Sequence, residues 1–297
     1  MADVSGNGGV RIGDLTDVRA ARPELVAGVA AARRRRDGAP GASGPLVIIV
    51  ADQPARGAVG VGDDLTAMAD RREFLERLCV ALDRPGVSGV IGAPDVIEDL
   101  TLLGVLDGRL AIGSMNRGGL AGTAFETDDR FTAYDADAIA ASRLDGGKVL
   151  LRVDDADPAS ARALEACAGA VSALARHRLM AVVEPFVAQR VDGRLRNMLT
   201  VEAMIRAVSI ASGLGVTSAY TWLVVPVVPG MERVVTATTL PLLLFGGDSG
   251  DDPREALDGW RRAIRMPGVK GIVAGRTFLY PPDGDVRAAV DAAVEVL

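Results

Sequence analysis

The feature that most constrains this chain is a repeated alternation. Short, largely apolar runs of three to seven residues are separated by segments with helical periodicity, the pattern of buried parallel strands joined by crossover helices. Eight such runs occur, at residues 45–51, 89–91, 111–114, 149–153, 180–184, 219–225, 240–245 and 271–274. The intervening sequence predicts helices over 71–82, 159–176, 200–212 and 253–265. Eight strand–helix units favour closure into a (β/α)8 barrel over an open, doubly wound sheet. A length of 297 residues, 49% of them hydrophobic, suits one such core. The expected organisation is an N-terminal helical extension and linker over 1–44, then the barrel over 45–297. A helix is predicted over Pro23 to Arg36. Its terminal cluster Arg33 to Arg36 reads as a solvated helix end favoured by the dipole.

Charge and composition narrow the partners. The formal charge of −6 gives no support for binding nucleic acid or anionic membrane. No apolar run approaches the roughly 20 residues of a spanning helix, and no secretory signal is evident, so a cytoplasmic protein is expected. Cys79 and Cys167 fall within helical patterns, without metal-site spacing, and read as packing residues. No cofactor or metal is called for. The expected partners are a small-molecule substrate and further copies of the same chain.

In a barrel, chemistry gathers where strands end and βα loops begin. Those positions carry Asp52 and Gln53, Asp95, Asn116 and Arg117, then Arg152, Asp154 and Asp155. Glu184 lies on the fifth strand, Gly246-Gly247-Asp248 follows the seventh, and Gly275-Arg276 follows the eighth. The last two turns suit an anion held by bare backbone N–H groups and a guanidinium. The sixth strand, Trp222-Leu223-Val224-Val225-Pro226, is apolar throughout.

The stretch Gly271-Ile272-Val273-Ala274-Gly275-Arg276-Thr277-Phe278-Leu279 resembles the last-strand signature of a class I aldolase superfamily. Its members include deoxyribose-phosphate, tagatose-bisphosphate and archaeal-type fructose-bisphosphate aldolases. Val50-Ala51-Asp52-Gln53, Val182-Val183-Glu184-Pro185 and Leu243-Leu244-Phe245-Gly246-Gly247-Asp248 resemble its first, fifth and seventh strands. The likeness extends to the actinobacterial aldolase-like barrels found with inositol-catabolism genes. It implies carbon–carbon cleavage of a phosphorylated ketose or deoxy-keto sugar acid through a Schiff base, with the lysine on the sixth strand.

Here Val224 occupies that lysine's place. Of 33 basic residues only Lys148 and Lys270 are lysines. Both precede predicted strands, which places them at the N-terminal face, away from the chemistry. The resemblance leaves Asp52, Asp154 and Glu184 as acid–base candidates and Tyr220 as a proton donor. Arg152, Gly246, Gly247, Asp248, Gly275 and Arg276 would bind substrate and phosphate. A divalent metal on Asp52, Asp154 and Glu184 is a variant. The sole histidine, His177, precedes the fifth strand, so a three-histidine zinc site is excluded. Two alternatives stand beside the aldolase: a non-catalytic barrel that binds a sugar phosphate, and another lyase or isomerase on the same scaffold.

Overall fold

The computed structural model describes residues 10–246 and 253–297. Among the described residues there are nine strands: β1 (Leu46–Ala51), β2 (Gly89–Gly92), β3 (Leu110–Ser114), β4 (Gly146–Val153), β5 (Met180–Val191), β6 (Arg194–Asn197), β7 (Thr221–Pro226), β8 (Leu242–Phe245) and β9 (Val269–Ala274). All but β6 run parallel, in the order β4-β3-β2-β1-β9-β8-β7-β5, and pairing of β4 with β5 closes the ring. The fold is therefore the closed eight-stranded α/β barrel expected from the sequence.

Strand geometry decides what each residue faces, because successive side chains point to opposite sides. Leu46, Ile48 and Val50 of β1 pack inside the barrel with Ile91, Ile112, Val182, Val224, Leu243 and Val273. Their neighbours Val47, Ile49 and Ala51 face outward into the helical shell. The main crossover helices are α3 (Arg71–Leu82), α4 (Pro94–Leu102), α5 (Ala136–Ala141), α6 (Ala159–Arg176), α7 (Val201–Ser212) and α9 (Pro253–Ala263), with a shorter α8 (Met231–Val235) preceding α9. Two more, α10 (Arg276–Leu279) and α11 (Val286–Val294), follow β9. Several begin on a side-chain cap: Asp70 accepts from the Arg72 and Glu73 amides, Asp135 from Ala138 and Thr200 from Ala203. Such caps satisfy N–H groups that the first turn leaves without partners.

Two features depart from the sequence reading. The fifth strand runs seven residues past Glu184, turns at Asp192-Gly193 and returns as antiparallel β6. Both turn residues have positive φ, 51° and 76°, as a two-residue hairpin turn requires. This hairpin brings Leu195 and Arg196 to the rim of the barrel.

The second departure is at Arg33, expected at a solvated helix end. It is instead 3% exposed. It follows α2 (Glu24–Ala32), which itself follows α1 (Leu15–Ala21). The guanidinium donates to the carbonyls of Leu106, Arg109 and Arg143 and lies 3.3 Å from the Asp145 carboxylate. These partners all precede β3 or β4, so Arg33 binds the N-terminal end of the barrel. The chain then crosses under the ring, where Gly41 (φ +77°) lies so close to Trp222 that a Cβ would stand 2.9 Å from the indole. The segment before β1 thus forms the barrel floor.

Replacing Arg33 by Ala would leave Asp145 buried with only the half-exposed Arg35 as partner, and three carbonyls short of a donor. We expect Arg33→Ala to lose about 2–4 kcal/mol of stability in denaturant unfolding, against less than about 0.5 kcal/mol for the exposed neighbour Arg34→Ala.

Candidate active site

The interior of the C-terminal half of the barrel is charged. Because β4 begins at Gly146 rather than Val149, Lys148 is its third residue and shares the inward register of Leu150 and Arg152. This corrects the expectation that Lys148 lies at the N-terminal face. Its outward neighbours Gly147, Val149, Leu151 and Val153 are the apolar half of the alternation, and the inward half is Gly, Lys, Leu and Arg. The Lys148 side chain is 5% exposed and ends between two carboxylates. Its Nζ lies 3.2 Å from Asp52 Oδ2 and pairs directly with Glu184 Oε2.

Asp52, the first residue beyond β1, is fully buried. Its Oδ2 also accepts from Ser114 Oγ at 2.5 Å and pairs with the Arg117 guanidinium. Burial alone would raise this carboxyl's pKa. The charges of Arg117 and Lys148, with hydrogen bonds from Arg117 and Ser114, outweigh that and hold it well below the ordinary carboxylate range. Asp52 is therefore a fixed anion. Glu184 has the more open carboxylate, with its side chain 15% exposed against 1% for Asp52. Asn116 fixes the backbone beside the lysine: its amide donates to Leu150 O and accepts from Leu150 N, extending the β3 ladder beyond the strand's end.

Further up β4, Arg152 is locked by a two-pronged contact to Asp129, at 2.8 and 2.7 Å, and by the Glu126 carbonyl. Arg56, in the loop after β1, donates to Gly119 O. Burial, with the like charges of Arg152 and Arg117, lowers its pKa to about 10.

Asp52, Arg56, Arg117, Glu126, Lys148, Arg152 and Glu184 line one cavity of about 570 Å³ at the C-terminal mouth. Of the residues expected at the site, Asp52, Glu184, Val224, Arg152, Gly246, Gly275 and Arg276 line it. Gly247 and Asp248 lie outside the described residues. Asp154 is elsewhere: its carboxylate accepts from the Ala156 amide, and its own N–H bonds Ser160, so it shapes the entry to α6. Asp95 is on α4, paired with Arg71. Tyr220 precedes β7 and does not line the cavity. His177 ends α6 at the opposite face, 2.7 Å from Asp137. Lys270 is the exposed second residue of β9.

Lys148, Arg56, Glu126 and Arg196 were missed by the sequence reading. The signal for Lys148 was the outward alternation continuing back to Gly147. For Arg196 the available signal is the Asp192-Gly193 pair, which suits a hairpin turn; nothing in the sequence marks Arg56 or Glu126. Asp52, Asp154 and Glu184 are not brought together as a metal triad: Lys148 separates the first and last, and Asp154 faces away. Among the described residues no three His, Cys, Asp or Glu side chains cluster as metal ligands.

Comparison with known proteins gives a coherent result. The Cgl0159-like family model matches residues 44–294. The crystal structure of Cgl0159 from Corynebacterium glutamicum superposes with a TM-score of 0.92 at 48% identity, covering 96% of this chain and 95% of that one. A Schiff-base-forming fructose-1,6-bisphosphate aldolase superposes at TM-score 0.61 with 18% identity, over 86% of this chain and 94% of its own. An archaeal fructose 1,6-bisphosphate aldolase gives 0.63 and 17%, over 91% and 98%. At such identities the likeness shows the shared fold. A 2-amino-3,7-dideoxy-D-threo-hept-6-ulosonate synthase from Halobacterium salinarum is 42% identical over 64 residues, which span 21% of this chain and 23% of that curated relative.

The depressed pKa of Asp52 has a defined consequence for stability. A carboxyl whose folded pKa is lowered stabilises the native state above its unfolded pKa, about 3.9, and loses that contribution as pH falls toward the folded value. Asp52→Asn should therefore be less stable than the parent by a constant amount above about pH 5, and the gap should narrow below about pH 4. Denaturant unfolding of both proteins from pH 7 to pH 3 measures this. A gap that widens on acidification would contradict it.

Proposed function

The chain belongs to the Cgl0159-like family, and from the geometry of its barrel we propose that it is a carbon–carbon lyase of the aldolase type whose Schiff-base amine is Lys148. The observation that carries this reading is the position of Lys148 Nζ inside the cavity, against Asp52 and Glu184. A lysine beside a carboxylate in a cavity places a nucleophile and a proton acceptor within reach of the same carbonyl.

In this mechanism Lys148 gives a proton to Glu184 when the ketose enters. The neutral amine adds to the carbonyl carbon, and the carbonyl oxygen leaves as water after taking two protons, one of them returned by Glu184. The resulting iminium draws in the electron pair of the bond between its α and β carbons as that bond breaks, leaving an enamine, while Glu184 accepts the proton of the β-hydroxyl whose carbon becomes the product aldehyde. Protonation of the enamine and hydrolysis of the imine release the second product and regenerate the amine. Asp52 keeps its charge throughout and holds Lys148 and Arg117 in place.

The substrate we propose is a phosphorylated ketose or deoxy-keto sugar acid, with the phosphate at Gly275 and Arg276. A Cβ on Gly275 would meet only Val50 and Gln53, at 3.7 and 4.0 Å. Packing within the chain does not demand glycine there, whereas close approach of an anion to the backbone does. The resemblance to barrels found with inositol-catabolism genes makes deoxy-keto acid phosphates the first compounds to assay. A second reading, a barrel that binds a sugar phosphate without turnover, is favoured by Val224 at the position where the superfamily carries its lysine.

Borohydride reduction in the presence of substrate separates the two. The unchanged protein should gain a stable adduct on the peptide containing Lys148, and Lys148→Met should gain none while still folding. Val224→Ala should still be trapped. An adduct at Lys270, or none with any ketose phosphate, would sink the proposal. Glu184→Gln should lower kcat by roughly 10²–10⁴.

A further inference from the structure

The wall of the cavity opposite Arg276 contains cationic groups that the lyase mechanism does not use. β4 and β9 stand fourth and eighth around the eight-stranded ring, so Arg152 and Gly275 face each other across the mouth. Arg56 lies beside Arg152, reaching over from the β1 loop. Arg56 Nη2 and Arg117 Nε are both buried without a hydrogen-bond partner among the described residues. The nearest carboxylate to Arg56 is that of Glu126, at 3.5 Å and without hydrogen-bond geometry. Asp129 is committed to Arg152 by two bonds, and Asp52 to Arg117, Lys148 and Ser114.

A guanidinium with unused donors, desolvated beside two like charges, is costly unless something anionic joins it. Charge over the whole lining agrees. Arg56, Arg117, Lys148, Arg152, Arg196 and Arg276 line the cavity against three acidic side chains among the described residues, with Asp129 behind them as a fourth.

We propose that Arg56, assisted by Arg117 and Arg152, forms a second anion subsite, so that the substrate carries a negatively charged group at each end: one at Gly275 and Arg276, the other at Arg56. The shared chemistry is a planar or tetrahedral oxyanion, carboxylate or phosphate, matched to the guanidinium fork. The inference rests on the lyase reading only in taking the reacting carbonyl to lie between the two anions, above Lys148. It explains why the loop after β1 sends an arginine across the mouth instead of a neutral side chain.

The test uses compounds that cannot form an imine, which keeps it separate from the fate of Lys148. Isothermal titration of the full chain with 6-phosphogluconate (an anion at each end, no ketone) is compared with sorbitol 6-phosphate and gluconate, which carry one anion each. We expect 6-phosphogluconate to bind at least ten-fold more tightly than either. Arg56→Gln should abolish that advantage and leave sorbitol 6-phosphate affinity unchanged, and Arg56→Lys should restore part of it. Melting temperatures of both variants within a few degrees of the parent confirm folding. Replacing 6-phosphogluconate by hexitol 1,6-bisphosphate then separates the sources: tighter binding assigns the subsite to phosphate, weaker binding to carboxylate. Equal affinity for the one- and two-anion ligands, or an Arg56→Gln variant that keeps the preference, overturns the proposal, as does failure of all three compounds to bind. Failed borohydride trapping together with a retained two-anion preference would remove the lyase mechanism and leave this subsite standing.

Discussion

The organisation of this molecule depends on one carboxylate, Asp52, buried inside the barrel and held by Ser114, Arg117 and Lys148. An ion of that size taken out of water costs several kcal/mol unless its partners compensate, so the cluster must assemble as a unit or not at all. With Glu184 of β5, which pairs with Lys148, the cluster draws on β1, β3, β4 and β5, and four of the eight strands are thereby fixed relative to one another. Asn116 adds a further constraint by tying the end of β3 to Leu150 of β4. The position of the lysine follows from the backbone, since a one-residue slip of β4 would turn Lys148 outward into the apolar shell and Val149 inward. Register and charge enforce each other.

The same geometry explains how a barrel can present an amine without a lysine on its sixth strand. Inside a closed eight-stranded barrel, side chains from alternate strands share layers, so the fourth and sixth strands aim at common space. Lys148 of β4 and Val224 of β7 both line the cavity. A lysine stem is long and flexible, and moving its attachment by two strands changes the direction of approach more than the place its nitrogen occupies. What changes is the company it keeps. On β4 the amine is beside Glu184, one inward position further along β5, and facing Asp52; an aliphatic residue at 224 then supplies apolar wall.

Much of the fold was legible in the sequence because a buried parallel strand needs apolar residues on both faces, and such runs stand out. The helices at 71–82 and 159–176 were readable to the residue from periodicity. The site was legible only in part. Asp52, Arg152 and Glu184 terminate or interrupt apolar runs, which is why they were found. Lys148 was misplaced because Gly146-Gly147-Lys148 resembles a turn, and the glycines that suggest one are there for packing: a Cβ on Gly146 would stand 2.4 Å from the Met180 carbonyl oxygen, and one on Gly147 equally close to Met115. The strand is continuous because its backbone is crowded. Arg33 was misread for a different reason. An isolated segment shows four arginines at a helix end, whereas the partners of Arg33 are backbone carbonyls more than 70 residues away.

The floor and the mouth of the barrel divide the labour between them. Arg33 and the segment after it close the N-terminal end with backbone carbonyls, one buried ion pair and the contact at Trp222, leaving the lower core apolar from Leu46 to Met180. Charge is confined to the upper layers, where the strands give way to loops that can be exchanged without disturbing the ring. Within those layers Asp52, Asp129 and Glu184 neutralise Arg117, Arg152 and Lys148 closely, while Arg56 is met by the Gly119 carbonyl and by Glu126 at 3.5 Å without hydrogen-bond geometry, and Arg276 by the Gly60 carbonyl. Cations that are fully paired build the site. Arg56 and Arg276, left with weaker partners, are the cations that the two-anion proposal assigns to the substrate, because replacing a carbonyl or a 3.5 Å contact by a charged oxygen gains more than breaking a short ion pair would return.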